Sequence, residues 1–220
     1  MDKRKKYAVL TGDLVGSSRF EIEKQRDNVI SLLKDSFDKI ESTDIVSPFM
    51  IYRGDSFQGV LSRPEDALKA SIMIRANLLS KSEGKRGRLD ARIAVGIGTI
   101  EYLSENQVGE GDGEAFRNSG IELDRMKKGE VNLIIKTPWD EINEELRTEC
   151  ALIDALIHRW TKEQAEAVMY QMQGLTQEEI AVILNISQSA VFQRLKTGGS
   201  RAIQVFLERY RKIIQYKVEG

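Results

Sequence analysis

Residues 7–18 read YAVLTGDLVGSS, a compact apolar run that ends in a glycine-rich turn carrying one carboxylate, Asp13. This pattern predicts a buried strand followed by its exit loop. Residues 52–57 read YRGDSF and place a second carboxylate, Asp55, beside a glycine where two short strands would reverse. Two aspartates brought together from separate strands form an oxygen-ligand site suited to Mg²⁺ or Mn²⁺, and such a cation recruits phosphates. Either turn alone is more typical of ordinary turn chemistry, because aspartate bonds its own backbone there.

The composition is that of a globular protein with one large domain or two small ones. The chain has 220 residues, of which 41% are hydrophobic and 30% are charged, so a sizeable core can be buried. The single cysteine excludes an intrachain disulfide, and the single histidine excludes histidine-rich zinc sites and Ser-His-Asp chemistry. No apolar run is long enough to span a bilayer or to serve as a signal peptide. We therefore expect a cytoplasmic protein.

The net charge of -1 hides an asymmetry between the two ends of the chain. Residues 159–220 hold nine Lys and Arg against six Asp and Glu, whereas the remainder holds 24 against 28. Basic charge gathered at one end favours contact with nucleic-acid phosphate. A solvated helical surface is the alternative interpretation.

Hydrophobic periodicity predicts the order strand, helix, hairpin, helix, strand, helix, strand over the first part of the chain. Apolar positions recur at helical spacing within residues 20–41, and Pro64 opens a second helix that runs to about residue 82. Residues 89–100 alternate with a period of two, which indicates a long strand. Helices mixed with strands in this order predict an α+β sandwich, in which helices pack on a sheet. Residues 139–216 are nearly all helical in pattern.

The element order and the two acidic turns resemble the catalytic core of class III nucleotidyl cyclases and its relative, the GGDEF diguanylate cyclase domain. The resemblance covers roughly residues 7–136 and implies a ferredoxin-like, cyclase-like βαββαβ sandwich. It implies that Asp13 and Asp55, assisted by the Leu14 carbonyl, hold the metal ions that clamp the oxygens of a phosphoryl or nucleotidyl transfer. It also implies a nucleotide-phosphate set made of Val15, Gly16, Ser17, Ser18, Gly54 and Asn118.

The resemblance is incomplete where the family stabilises the transferring phosphoryl group. The family has an asparagine and, four residues later, an arginine; here Asn118 is followed by Glu122. Arg117 and Arg125 lie nearby but out of phase. Negative charge on a transferring phosphoryl group needs a positioned cation. The catalytic residues are therefore left unassigned.

Residues 175–191, LTQEEIAVILNISQSAV, predict two short helices joined by a tight turn. Thr176 and Glu179 match a capping box, Asn185 suits the left-handed turn, and Ser187 would cap the second helix. This spacing resembles the helix-turn-helix DNA-binding segments of bacterial sigma factors and response regulators. An ordinary helical hairpin used for packing is the alternative.

The second helix of this pair would present a polar outer face to DNA. Short polar side chains near a helix start can reach base edges, while lysine and arginine can meet phosphates. The candidate DNA-binding residues are Ser187, Gln188, Ser189, Phe192, Gln193, Arg194, Lys196 and Arg201. An apolar stripe within residues 202–216 predicts core closure and self-association, and a homodimer would suit a palindromic DNA site.

The two acidic turns and the closing helix pair together are similar to the SatD family of bacterial proteins, which supplies an architecture and little mechanism. We expect a cyclase-like α+β domain at 1–138, a connecting helix at 139–159 and an all-α helix-turn-helix domain at 160–220. The main prediction is a DNA-binding transcriptional regulator whose cyclase-like domain senses a nucleotide or metal-phosphate ligand. The alternative is a Mg-dependent nucleotidyl cyclase or nucleotidyltransferase. A third interpretation is a degenerate scaffold whose acidic turns bind nothing.

Overall fold

The structure, a computed structural model, describes residues 5–16, 23–40, 44–52, 54–82, 87–103 and 111–219. The first part of the chain consists of β1 (Tyr7–Leu14), α1 (Glu23–Asp38), β2 (Ile45–Tyr52), β3 (Ser56–Leu61), a 3-10 turn (Pro64–Asp66), α2 (Ala67–Ser80), β4 (Ala91–Gly98), α3 (Glu114–Met126) and β5 (Leu133–Lys136). The second part consists of α4 (Asp140–His158), α5 (Lys162–Met172), α6 (Gln177–Leu184), α7 (Gln188–Thr197) and α8 (Ser200–Glu219). The predicted order and the mixed α+β architecture are confirmed.

The five strands form one sheet in the order β2-β3-β1-β4-β5. Strand β1 pairs antiparallel with β3 and β4, while β4 and β5 are parallel. Strand β1 is buried along its whole length, as expected of a central strand covered on both faces. Edge strand β2 contains Pro48 within an irregular stretch of its pairing with β3. Proline is tolerated there because an edge strand has one side without ladder bonds.

Helices cover both faces of the sheet. The side chains of Ala8 and Leu10 point to the face covered by α1 and α2, whereas Val9 packs with Phe116 of α3 on the other face. This alternation follows from the period of two along a strand. Asp13 and Val9 lie an even number of positions apart in β1, so the Asp13 side chain lies on the face of the sheet that α3 covers.

Helix α2 lies inside the molecule rather than on its surface. Every residue of α2 except Lys69 is buried, and α2 packs against both the sheet and α5. Apolar residues occur on all sides of α2, which is typical of a helix buried in the interior of a protein. As a result, a single hydrophobic core runs from Leu10 in the sheet through α2 to Val168 and Ile203 in the helical part. The boundary between two domains near residues 139–159 stays a prediction.

A buried ion triad ties α2 to both parts of the chain. The fully buried Arg75 donates from Nε and Nη2 to the Asp90 carboxylate at 2.8 and 2.9 Å, and from Nη1 to Asp154 of α4 at 2.6 Å. Burial alone would lower the pKa of Arg75, but the two carboxylates outweigh it and raise that pKa above its ordinary value. Arg75 therefore stays charged in the interior.

The last helix also bonds back to the first part of the chain. The hydroxyl of Tyr210 donates to the Pro64 carbonyl at 2.7 Å, and Arg211 pairs with Asp66. None of the helices within the described ranges combines the length and apolar character that crossing a bilayer requires.

Candidate functional site

The turns that carry Asp13 and Asp55 lie side by side at one end of the sheet. The Leu14 N–H donates to the Asp55 carbonyl at 3.0 Å. Asp13 is the cross-strand partner of Ser56, the residue that follows Asp55. Two residues that are far apart in the chain are thus neighbours because β1 and β3 pair in this register.

The side chain of Asp13 belongs to a polar row that crosses three strands. Directly opposed residues of an antiparallel pair share a face, and Asp13 is opposed by Ser56 on β3 and by Arg92 on β4. The Ser56 hydroxyl donates to Asp55 Oδ1 at 3.3 Å. The Asp55 carboxylate therefore lies beside the face that bears Asp13.

Arg92 is a site residue that the sequence analysis did not identify. Its Nε donates to Asp13 Oδ1 at 2.7 Å, and the exposed fractions of the two side chains are 22% and 7%. The Asp13 carboxylate therefore already has a cationic partner, with which a divalent metal would compete. The signal was present, since Arg92 is the one charged residue in the alternating apolar sequence of β4.

The two turns contain glycines in conformations that other residues rarely adopt. Gly16 has φ of +70° and Gly54 has φ of +83°, both in the left-handed region. Successive backbone N–H groups in such turns can form an anion-binding concavity. Ser17 and Ser18, which belong to the predicted phosphate set, lie outside the described residues.

Two other members of the predicted phosphate set are engaged inside the fold. The Val15 N–H donates to the Asp90 carbonyl at 2.9 Å, and Asn118 Nδ2 donates to the Ile97 carbonyl at 2.9 Å. The Val15 N–H cannot serve a phosphate without giving up its present bond, whereas the Asn118 amide retains a second N–H. The geometry gives Val15 and Asn118 a positioning role in which the first turn and α3 are fixed to β4.

The α3 face beside Asp13 is polar and mostly buried. Thr11 accepts from Gln58 Nε2 at 2.8 Å and shares a 2.9 Å hydrogen bond with Ser119 of α3. Glu122, one turn further along α3, is buried and accepts from Arg125 Nη1 at 2.7 Å. The position at which the cyclase resemblance implies an arginine thus holds a buried carboxylate.

The donor set fits a cation that is held jointly with phosphates. Among the described residues, no group of three or more His, Cys, Asp and Glu side chains could hold a metal ion by itself. Mg²⁺ usually retains several waters and binds one or two carboxylates plus substrate phosphates. That Asp13 and Asp55 supply such a pair stays a prediction, and Arg92 would have to release Asp13 first.

The SatD family matches the chain over residues 7–215. The chain belongs to the SatD family. The search of curated proteins returned no match to this SatD-family protein.

Three solved structures are similar to part of this chain. The active GGEEF domain of a diguanylate cyclase from Vibrio cholerae is 16% identical, with a TM-score of 0.46 over 62% of this chain and 85% of that chain. The GGDEF domain of DgcB from Caulobacter crescentus, solved in complex with c-di-GMP, is 13% identical, with a TM-score of 0.46 over 60% and 77%. A bacterial light-regulated adenylyl cyclase is 9% identical, with a TM-score of 0.41 over 59% and 74%.

In this SatD-family protein, helices α6 and α7 have the caps and the turn that the sequence predicts. Thr176 and Glu179 form a reciprocal capping box at the start of α6. Asn185 ends α6 in the left-handed conformation, with φ of 52° and ψ of 49°, and Ser187 caps α7 by accepting from the Ala190 N–H. These local predictions are confirmed. That the pair forms a DNA-binding domain stays a prediction.

The outer face of α7 is open to solvent. Arg194 is half-buried and lies 3.8 Å from Glu166. The candidate DNA-binding residues that are exposed are Ser187, Gln188, Ser189, Phe192, Gln193, Lys196 and Arg201.

Some of the basic side chains near the C-terminal end of this SatD-family protein form ion pairs within the molecule. Four of the seven basic residues within 186–217 pair with carboxylates elsewhere in the chain. Two of these pairs, Arg209 with Glu145 and Lys217 with Glu141, join α8 to α4. The charge asymmetry is therefore weaker support for nucleic-acid binding than the composition alone indicates.

Proposed function

We propose that this SatD-family protein binds a nucleotide together with Mg²⁺ or Mn²⁺ at Asp13 and Asp55. The observation that supports the proposal is the bond from the Leu14 N–H to the Asp55 carbonyl. It holds two carboxylate-bearing turns together at one end of the sheet. The N–H and carbonyl of one strand residue point to the same side, so the Leu14 carbonyl faces the hairpin as a third oxygen.

The cation would neutralise phosphate charge and hold the phosphates in place. Asp13 and Asp55 would bind it directly. The left-handed glycines at positions 16 and 54 keep both turns tight, a conformation in which successive backbone N–H groups can face phosphate oxygens. Arg92, in the same row as Asp13, is the guanidinium that the site offers to a phosphate once Asp13 is bound to metal.

If the site is catalytic, we propose that it performs nucleotidyl transfer, as a cyclase or a nucleotidyltransferase. The buried Glu122 works against it, because a carboxylate near the transferring group repels developing negative charge. Nucleotide binding does not need an arginine at position 122, whereas turnover depends on Arg92 supplying the positive charge that Glu122 does not.

Binding is tested by calorimetric titration of each nucleoside triphosphate with Mn²⁺ or Mg²⁺ and, separately, with EDTA. We expect metal-dependent binding of at least one nucleotide by the wild type, and its loss in Asp13→Asn. Asp124→Asn removes an exposed carboxylate of α3 and is the matched control, which should bind as the wild type does. Equal binding by the Asp13 and Asp124 variants would reject the site. Mass spectrometry of the same mixtures detects any cyclic or oligomeric product.

DNA binding by α6 and α7 is the second candidate function, and it would make the protein a nucleotide-responsive transcriptional regulator. The specific observation in its favour is the exposed polar face of α7, which starts at the Ser187 cap. For nucleotide to regulate DNA binding, it would have to bind one of two arrangements of the helices more tightly than the other. A ligand with equal affinity for the two arrangements does not shift the equilibrium between them.

Gel-shift titration against genomic fragments tests the second candidate at a stated salt concentration, because phosphate contacts weaken steeply as salt rises. Gln193→Ala should weaken binding to a preferred fragment, while Gln204→Ala, an exposed glutamine on α8, should not. Absence of any shift at low and moderate salt would exclude the DNA-binding role.

A further inference from the structure

A second polar cleft lies at the opposite end of the sheet from Asp13. Its volume is about 410 Å³, and it opens between α2 and the end of β3 on one side and α5 and α8 on the other. Leu61 of its lining pairs with Ala8 and Ile45 at the strand ends furthest from the acidic turns. The cleft is therefore separate from the candidate metal site.

One buried carboxylate, Asp66, joins two arginines across this cleft. Arg63 lies just before the 3-10 turn, and its Nε is 3.2 Å from Asp66 Oδ2. Arg211 comes from α8 and binds the other oxygen, Oδ1, of the same carboxylate. The exposed fraction of the Asp66 side chain is 12%, against 49% for each arginine. The carboxylate thus lies beneath, and the two guanidiniums face the opening.

Both guanidiniums keep donors for a ligand. A guanidinium has five N–H donors. Within the described residues, Arg63 uses Nε for Glu65 and Asp66, and its Nη1 lies 3.8 Å from Asp44. The pair of Arg211 with Asp66 uses Nη2. The charge of Asp66, followed by a hydrogen bond to Glu65, raises the pKa of Arg63, so this group stays cationic.

The remaining lining suits an anion that carries an organic part. Lys39, which is paired with Asp35, and Lys69 bring the cavity lining to four cationic residues against two carboxylates. Met73 and Ile40 provide a buried apolar wall. A volume of 410 Å³ falls in the range of small-molecule pockets and is much larger than a phosphate group requires.

We propose that Arg63 and Arg211 form a binding site for a small phosphorylated metabolite at the junction of the two parts of the chain. Asp66 holds both guanidiniums in place, which reduces the cost of ordering them when the ligand binds. Paired arginines recognise phosphate oxygens through bidentate bonds that lysine cannot make. The ligand would connect the segment before α2 to α8, and its binding would stabilise their contact.

Calorimetric titration of pyrophosphate in EDTA tests this site, because EDTA removes the divalent cation through which Asp13 and Asp55 would recruit phosphate. We expect binding by the wild type and a loss of about tenfold or more in Arg63→Gln and in Arg211→Gln, as for lost hydrogen bonds between charged groups. Arg211→Lys should bind at an intermediate level, since charge remains but the fork is lost.

Arg117→Gln is the matched control, because Arg117 is an equally exposed arginine in ion pairs with Glu101 and Asp112. Arg117→Gln should bind pyrophosphate as the wild type does. No binding by the wild type, or an equal loss in the Arg117 and Arg211 variants, would overturn the proposal. Circular dichroism melts of each variant separate loss of ligand from loss of fold.

Discussion

Replacing Arg92 by glutamine should increase the affinity of the protein for Mn²⁺ in the absence of nucleotide. Arg92 Nε donates to Asp13 Oδ1 at 2.7 Å, and a metal that binds this oxygen must displace the guanidinium. A hydrogen bond between charged groups contributes about 1.5–3 kcal/mol. Because Arg92 is partly exposed, the lower end applies, and about 1.4 kcal/mol corresponds to a tenfold change in affinity.

Free Mn²⁺ can be measured by electron paramagnetic resonance as the protein is titrated. We expect Arg92→Gln to bind Mn²⁺ about tenfold more tightly than the wild type, by the conversion above. Asp13→Asn should abolish the gain when combined with it. Arg117→Gln, which also removes one exposed positive charge, should change little. An affinity of Arg92→Gln equal to or below that of the wild type would refute the reasoning that Arg92 and the metal compete.

Three buried or strained groups yield further expectations. Asp154→Ala leaves Arg75 short of one carboxylate in the interior, so the free energy of unfolding in urea should fall by about 3 kcal/mol; an unchanged denaturation midpoint would contradict this. Asn185→Ala should lower the melting temperature more than Asn185→Gly, because the left-handed conformation costs a residue with a Cβ about 1 kcal/mol; the reverse order would be evidence against strain at this turn. Burial raises the pKa of the Tyr210 hydroxyl, so the stability present below its unfolded pKa of about 10 is lost as the pH rises above that value. Tyr210→Phe should reduce this alkaline loss in thermal melts, and parallel curves for the two proteins would assign the loss to other groups.

The elements that the sequence predicts well are those defined by local pattern. The alternation within residues 89–100 requires only the period of a strand, and β4 occupies most of that range. The Thr176 and Glu179 pair specifies the start of α6 through bonds that span three residues. The hairpin around Gly54 was predictable for the same reason, since a left-handed glycine marks the reversal.

The two aspartates of the candidate site can be predicted from the sequence, but Arg92 cannot, because its position depends on the register of β1 and β4. Asp13 and Asp55 were identified from their turns, but the partner of Asp13 lies 79 residues away on β4. A shift of one residue in the pairing of β1 with β4 would send Arg92 to the opposite face. The single charge in β4 marks Arg92 as unusual, but only the register shows that it lies opposite Asp13.

Buried polar residues of α2 were unpredictable for a different reason. Arg75 and Asn77 interrupt an apolar helix and would ordinarily be placed on a solvent-facing side. Both are fully buried, because the sheet covers one side of α2 and the C-terminal helices cover the other. Only the tertiary arrangement supplies Asp90 and Asp154, the carboxylates that make a buried arginine tolerable.

The wrapping of α2 sets a limit on how the chain can be divided. If the chain were truncated near residue 138, the side of α2 that packs against α5 would be exposed to water as a long hydrophobic surface. We expect such a fragment to aggregate, which would prevent measurement of nucleotide or metal binding. The sheet, α2 and the C-terminal helices share one core, and we therefore expect them to unfold together.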